Sequence, residues 1–212
     1  SETVSYGIVR VDSKSSDTVA GVTVMKEVGG ENNGVTVDGS PDTTYVSKTI
    51  PVAEWAQGAW GEYLGFPRTN AFYEDRLWWA SSTNNPDTLW GSQSSKYENM
   101  EYSILGLDSD AIVAPILDSE VSQLQWMRGR RVMAVGAANS EYRFGATDID
   151  KAVTPSDRKA TQQTSYGSAS VQPVILNNAI FFFQRQGHKL RAMKFDELSE
   201  NFQADDATLL AN

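Results

Sequence analysis

The sequence predicts an all-β protein, in which antiparallel meanders stack as the blades of a partial β-propeller behind a small N-terminal β unit. Three observations predict this fold. Apolar residues recur at a spacing of two or in short apolar runs, and helical periodicity is nearly absent. The runs are rich in Val, Ile, Phe, Trp and Tyr and are separated by Gly, Asn, Asp and Ser. One order of strands and turns recurs three times.

Residues 1–50 are predicted to form the small N-terminal unit. Val4, Tyr6 and Ile8 lie at a spacing of two, which places their side chains on one face of a strand. The same spacing recurs further along, and an Asn-Gly pair is typical of a tight turn between two extended runs. Pro51 closes the unit, because proline has no N–H to donate to a sheet.

After a connecting segment, residues 51–70, residues 71–212 are predicted to hold three blade-like meanders. Each repeat runs strand, turn, strongly apolar strand, turn or loop, strand. The first turns of the repeats are predicted at Glu74–Asp75, Arg128–Gly129 and Asn177–Asn178. They lie 54 and then 49 residues apart, close to the period of about 40 to 50 residues in propeller blades.

The middle strand of each meander is apolar on both faces, as in the segments 77–79, 132–134 and 180–183. Such strands must be covered on both sides, so the sheets are expected to stack about 10 Å apart, as in a propeller or a β-sandwich. Three sheets do not close a ring, since propellers have about 4 to 8 blades. We expect an open stack, or further blades supplied from elsewhere. The apolar pair Leu209–Leu210 near the last residue leads us to expect a piece of a longer protein.

Composition excludes several classes of function. The chain has no Cys, which removes thiolate nucleophiles, disulfide scaffolds and sulfur-ligated metal sites. His188 is the only histidine, so a His-rich metal centre is excluded, and we expect a surface imidazole. A net charge of −9 repels phosphate, and no apolar run approaches the ~20 residues of a membrane helix. We therefore expect no cofactor, no tight nucleic-acid binding and no membrane span.

Two pairs of aspartates, Asp108 with Asp110 and Asp148 with Asp150, have the spacing that puts both carboxylates on one face of an extended segment. Such pairs could hold Ca²⁺ or Mg²⁺, but the EF-hand pattern fails, because Val113 occupies the sixth position where Gly is needed. Solvated acids in turns are the favoured interpretation. A glycoside hydrolase would need two carboxylates about 5 to 9.5 Å apart in a cleft, and the sequence predicts no cleft.

The aromatic and basic residues of the strands are predicted to be structural. Tryptophans on strands bury large areas in a core, although they could also stack on sugars or contact a subunit. Trp78 and Trp79 are adjacent, so one ring must face away from the other and could form an interface. Four arginines near turns are expected to hold loop carbonyls or carboxylates rather than DNA. They are Arg76, Arg131, Arg185 and Arg191.

An ordered set of short motifs runs from Trp55 to the C-terminus, among them Gly65-Phe66-Pro67-Arg68 and Ser165-Tyr166-Gly167-Ser168. Its members, called the signature residues below, are Trp55, Trp60, Phe66, Pro67, Arg68, Arg76, Leu77, Trp78, Pro86, Trp90, Ser92, Trp126, Tyr166, Gly167, Pro173, Arg185, Gly187, Lys189, Leu190 and Arg191. In this order they resemble the tail nozzle proteins of short-tailed bacteriophages, a family also called tail tubular protein B or phage stabilisation protein.

The resemblance implies a structural subunit of the virion tail, without catalytic residues, six copies of which form a ring around the DNA ejection channel. It also implies β-propeller domains with smaller inserted β domains, in chains much longer than this one. The implied partners are other copies, neighbouring tail or adaptor proteins, and DNA that passes without specific binding. An acidic channel wall would weakly repel the DNA backbone and let the duplex slide.

Ring formation needs heterologous contacts and therefore two separate patches. We expect these patches on the polar loops Ser81–Asp87 and Thr147–Thr164, and we expect Ala152–Thr164 to order only on assembly. Two other functions stay open at this point. One is a carbohydrate-binding β-propeller or β-sandwich that recognises the host surface, and the other is a glycan hydrolase with paired carboxylates.

Overall fold

A computed structural model describes residues 8–14, 20–26, 58–101, 106–118, 120–196 and 201–208. These residues form fourteen β-strands and no helix, which confirms the all-β class for the described part of the chain. The chain divides into two compact units, Ser1–Glu54 and Trp55–Asn212.

The first unit contains an antiparallel pair of strands, β1 (Ile8–Lys14) and β2 (Ala20–Lys26). Both strands come from the runs in which valine alternates with other residues, as expected for a strand period of two. The register shifts twice along the pair, between Ile8 and Val9 and between Val11 and Ser13. The strand predicted around Val4 and Tyr6 lies outside the described residues.

The second unit contains three antiparallel sheets of four strands each. The first sheet consists of β3 (Thr69–Tyr73), β4 (Arg76–Ala80), β5 (Thr88–Gly91) and β6 (Ile112–Pro115). The second consists of β7 (Leu124–Gly129), β8 (Met133–Ala137), β9 (Glu141–Gly145) and β10 (Lys159–Thr164). The third consists of β11 (Val174–Leu176), β12 (Ala179–Phe183), β13 (Leu190–Asp196) and β14 (Asn201–Asp206). The strands pair in chain order, so the three predicted meanders are confirmed, each with a fourth strand.

Two of the three predicted first turns are confirmed. Glu74 and Asp75 have φ values of 46° and 55°, and Asn177 and Asn178 have values of 48° and 70°. Left-handed conformation at both central residues is what a two-residue hairpin needs to match the twist of its strands. Asn and Asp tolerate this conformation better than most residues do.

The turn predicted at Arg128–Gly129 is wrong by two residues. Strand β7 continues to Gly129, and the chain reverses in the residues between β7 and β8. There the Arg130 N–H donates to the Val132 carbonyl at 3.1 Å. Gly129 has another purpose, since a Cβ there would overlap the carbonyl oxygen of Phe72 in β3. The glycine lets the first strands of two sheets approach each other.

The first and second sheets pack face to face around one apolar core. Trp78 of β4 is fully buried, and its ring lies over Gly91 of the neighbouring strand, in contact with the ring of Phe144 in β9. The two ring centroids are 5.0 Å apart at an angle of 73°. This edge-to-face geometry is one that aromatic pairs prefer.

The second and third sheets enclose a separate core. Trp126 of β7 lies over Gly136 of β8 and contacts Phe182 of β12, with ring centroids 5.4 Å apart. Along β8, Met133 belongs to the first core and Ala134 to the second. The second sheet is therefore buried on both faces, which confirms the predicted stacking, and the three described sheets form an open stack.

The polar segment Thr147–Thr164 is only in part a loop. Its last six residues form β10, which pairs with β9 along a register that includes Ala160 with Phe144. The loop prediction is wrong here because an edge strand with one covered face can be largely polar. Ala160 packs against the first core, which supplies that cover. Ser81–Asp87 is a loop, as predicted.

We expect the substitution Gly136→Ala to destabilise the second unit by about 1 to 3 kcal/mol, because the added methyl group would overlap the indole of Trp126. Urea unfolding followed by circular dichroism measures the change. Gly61→Ala is the matched control, because a Cβ at Gly61 meets no atom within 4 Å. Equal losses in the two variants would contradict this account of the contact.

Candidate functional site

The signature residues lie partly on strands and partly on the loops that join them. Trp55 lies outside the described residues. The members on strands are Arg76, Leu77, Trp78, Trp90, Trp126, Leu190 and Arg191. The members on loops are Trp60, Phe66, Pro67, Arg68, Pro86, Ser92, Tyr166, Gly167, Pro173, Arg185, Gly187 and Lys189.

Arg76 fixes the long connection between β5 and β6. Its buried guanidinium donates to the carbonyl oxygens of Ser92, Asp108 and Asp110, each at 2.6 Å. Burial lowers the pKa of Arg76, and the nearby carboxylates of Glu74 and Asp110 oppose that shift. The predicted role of Arg76 in holding loop carbonyls is confirmed.

The first aspartate pair belongs to this anchored loop, where Asp108 is exposed, as expected for a solvated acid, and Asp110 is not. Asp110 is buried, and its carboxylate accepts a hydrogen bond from the Leu107 N–H at 2.8 Å. The second pair does lie at an exposed turn, where Asp150 is 3.0 Å from Arg131 and Asp148 is 3.8 Å from Lys151. Within the described ranges, no three acidic or histidine side chains converge in a way that could hold a metal ion.

Glu141 is a second buried anchor, which sequence reasoning missed. Its carboxylate has no exposed surface and accepts hydrogen bonds from the hydroxyls of Thr164 at 2.5 Å and Ser168 at 2.9 Å. The backbone N–H of Tyr166 donates to it as well, at 3.3 Å. Burial raises the pKa of Glu141, against the effect of these bonds and of the Arg191 charge. Glu141 thus ties the loop after β10 to the start of β9.

Three signature residues meet in that same loop. The guanidinium of Arg191 lies 3.6 Å from the ring centroid of Tyr166, a cation–π contact, and donates to the Gln184 side chain. Gly167 has a φ of 73°, and a Cβ there would overlap the carbonyl oxygen of Ala138. Only glycine fits this position without a shift of the backbone.

The described tryptophans serve mainly as core. Trp78, Trp90 and Trp126 are buried, which confirms the core prediction for these three. Trp79 faces away from Trp78, as expected, and is half-buried beneath Trp60, with ring centroids 5.9 Å apart. Trp60 also meets Trp90 edge to face at 5.6 Å. None of these five rings offers the fully exposed platform on which a sugar would stack.

The other basic signature residues form exposed links between elements. Arg68 donates to Gln125 of the second sheet at 3.3 Å, and Arg185 donates to the Asn139 side chain at 2.7 Å. Lys189 is 3.3 Å from a carboxylate oxygen of Asp206. Such exposed contacts contribute little stability each, so they orient the sheets more than they hold them.

His188 and Gly187 lie in the exposed turn between β12 and β13, as predicted for the imidazole. Phe66 is exposed, and Pro67 is half-buried in the segment before β3. The carbonyl of Pro86 accepts the Leu124 N–H at 2.9 Å, and that of Pro173 accepts the side chain of Arg128 at 3.0 Å.

A polar cleft of about 230 Å³ lies on the second sheet, away from both predicted aspartate pairs. The Tyr142 hydroxyl donates to Asp118 at 2.5 Å, and Asn139 donates to Glu120 at 3.5 Å. Burial, followed by the bond to Asp118, raises the pKa of Tyr142 to about 12. The polar groups of the cleft therefore largely bind one another. Its lining residues are Asp118, Glu120, Ser122, Asn139, Ser140, Tyr142, Gln162 and Ser165.

We expect Arg76→Met to lower the free energy of unfolding by about 2 to 4 kcal/mol, because it leaves the buried carbonyl oxygens of Ser92 and Asp110 and the partly buried one of Asp108 without their donor. Hydrogen exchange measured by mass spectrometry should show faster exchange in residues 92–101 and 106–110. Arg130→Met removes an exposed guanidinium and is the control. Unchanged exchange in those two segments would contradict the anchoring role.

We expect Glu141→Gln to gain stability relative to the wild type as pH rises above about 4.5. The pKa of the Glu141 carboxyl is raised in the folded chain from 4.5, so the folded state binds the proton more tightly than the unfolded state does. The contribution of Glu141 to wild-type stability therefore falls as pH rises from about 4.5 through the raised pKa of the folded state, and the Gln variant lacks this loss. Urea unfolding between pH 4 and pH 8 tests this.

In the same series, Glu120→Gln controls for the loss of an exposed carboxylate. Glu141→Ala should be less stable than the wild type by about 1 to 3 kcal/mol, because it leaves three donors unpaired. Parallel pH profiles for the wild type and Glu141→Gln would rule out the predicted shift.

No family model matches the chain, and no curated protein matches it. In the part of the chain that the structure describes, no helix is long and apolar enough to cross a membrane.

Proposed function

We propose that the chain is a structural module of the tail nozzle of a short-tailed bacteriophage. Its stacked meanders would form part of the ring around the DNA ejection channel in the virion tail. The partners are other copies of the chain and neighbouring tail proteins. One observation carries the proposal: most of the signature residues make contacts that hold loops and sheets in place.

The anchors support an architectural role. Arg76 joins one loop to the first sheet, and Arg191 stacks on Tyr166 in the loop that Glu141 binds. Trp78 and Trp126 each connect one sheet to the next through an aromatic contact. Side chains that make these contacts fix the positions of loops and sheets, as a structural subunit requires.

The arrangement of the first strands supports the finer proposal that the sheets are propeller blades. Strands β3 and β7 come close enough for Gly129 to lie against Phe72. Gln172, just before β11, donates to the Thr69 hydroxyl at the start of β3, at 2.9 Å. In a propeller the innermost strands of successive blades lie around a common axis, and contacts of this kind are what we expect if β3, β7 and β11 are the innermost strands.

The charge of the chain suits a wall past which DNA moves. With 27 acidic and 18 basic side chains, the average surface repels the phosphate backbone. A basic wall would release counterions and bind the duplex with a strong dependence on salt. Weak repulsion lets the duplex pass without being held.

Immunogold labelling tests the proposal directly. An antibody against the purified chain, applied to particles of the short-tailed phage whose genome encodes it, should place gold at the tail. Antibody absorbed beforehand with the purified chain is the control and should leave the particles unlabelled. Label on the capsid shell, or on no part of the particle, would refute the proposed role.

Filter binding tests the DNA-path hypothesis separately. We expect no retention of duplex DNA at micromolar concentrations of the chain in low salt, because its net charge is −9. A basic DNA-binding protein assayed in parallel confirms that the filter retains complexes. Micromolar retention of DNA by the chain would overturn the idea of a repelling wall.

A further inference from the structure

We propose that one end of the second sheet binds an acidic segment of a partner polypeptide. This surface, called the basic end, consists of the turn between β7 and β8 and the loop between β9 and β10 with their flanking residues. The choice of partner rests on the charges of the basic end and not on the proposed function.

Basic side chains concentrate at the basic end, although the chain as a whole is acidic. Of the fourteen basic side chains of the second unit, six lie in the two short segments 128–132 and 146–159. The same segments contain three acidic side chains, Asp148, Asp150 and Asp157. The basic side chains are Arg128, Arg130, Arg131, Lys151, Arg158 and Lys159.

The three carboxylates of the basic end are used within the loop itself. Asp157 accepts a hydrogen bond from the Thr147 N–H at 3.0 Å, and Asp148 accepts one from the Asp150 N–H at 3.1 Å. The bonds from Thr147 lower the pKa of Asp157. Asp150 is 3.0 Å from the guanidinium of Arg131. These carboxylates therefore hold the loop in shape and neutralise only part of the basic charge.

Three basic side chains keep an unopposed charge. Arg130, Arg158 and Lys159 are exposed, and no carboxylate of a described residue lies within ion-pair distance of them. Arg128, by contrast, donates to the Pro173 carbonyl, and Lys151 is 3.8 Å from Asp148. A carboxylate brought by a partner can bind the three unopposed cations without first displacing an internal partner.

The strand register brings these cations to one end of the sheet. The Tyr73 hydroxyl donates to the Arg131 carbonyl at 3.4 Å, and it lies 3.5 Å from the position that a Cβ on Gly145 would occupy. Gly145 pairs with Lys159 across β9 and β10. Since neighbouring strands lie about 4.8 Å apart, the backbones of Arg131 and Lys159 are separated by about 10 Å. An extended peptide spans that distance in about three residues.

The small size of the basic end favours an acidic peptide over nucleic acid. Charges farther apart than about 10 Å are largely screened in solution, so a short segment interacts mainly with the basic end. A duplex extends well beyond it and meets a surface whose overall charge is −9. Three unopposed cations also release few counterions, and counterion release supplies most of the non-specific affinity for DNA.

Nuclear magnetic resonance of the ¹⁵N-labelled full chain, titrated with a hexaglutamate peptide in low salt, tests the proposal. We expect the peptide to shift the amide resonances of residues 128–132 and 146–159, with a dissociation constant in the millimolar range or below about 1 mM, because exposed ion pairs are individually weak. High salt should weaken the binding. A hexalysine peptide is the control for charge and should leave these resonances unshifted.

Two double variants separate the basic end from the net charge of the chain. Arg130→Gln with Lys159→Gln should raise the dissociation constant for hexaglutamate at least about threefold. Arg68→Gln with Lys194→Gln removes the same two charges from exposed positions outside the basic end and should leave the constant unchanged. Circular dichroism establishes that each variant folds. If the first pair fails to fold, Arg158→Gln alone replaces it.

Three results would overturn the proposed binding surface. The first is a titration in which hexaglutamate leaves the resonances of the basic end unshifted. The second is an equal rise of the dissociation constant in the two double variants, which would show that binding follows net charge. The third is a duplex oligonucleotide that shifts the same resonances more strongly than hexaglutamate at an equal concentration of anionic groups. None of these results decides the immunogold test of the proposed function.

Discussion

The burial of the second sheet on both faces is the constraint on which the rest of the structure depends. Met133 of β8 belongs to one core and Ala134, the next residue, to the other. A four-stranded meander that is apolar on both sides cannot exist alone in water, so the second sheet needs both of its neighbours. The closest contacts follow from this constraint, since Gly91 and Gly136 leave room for the rings of Trp78 and Trp126.

Two buried polar side chains fix the loops, which the apolar cores do not hold. The connections between the strands are long, and their backbone groups need partners where they pass beneath a sheet. Arg76 supplies donors to three carbonyls, and Glu141 supplies acceptors to three donors. A buried network of this kind specifies one arrangement of the loops, because any other arrangement leaves a charged group unsatisfied.

Most of the strands could be predicted from the sequence, and the reasons for the failures are physical. The period of two and the turn residues at 74–75 and 177–178 locate two meanders well. The sequence does not predict strand β10, because its polar residues give no apolar alternation and its pairing with β9 decides its structure. Glu141 gives no signal either, since burial of a carboxylate depends on donors more than 20 residues away. The sequence predicts a turn at Gly129, whereas in the structure this glycine lets β7 approach β3.

The uneven distribution of tryptophan has a spectroscopic consequence. Four of the described indoles, Trp60, Trp78, Trp79 and Trp90, belong to the first sheet or the segment over it, and the sequence contains none after Trp126. Trp126 alone rests on the third sheet, through Phe182. Intrinsic fluorescence therefore follows the opening of the first sheet through several emitters, while detachment of the third sheet is visible through a single chromophore.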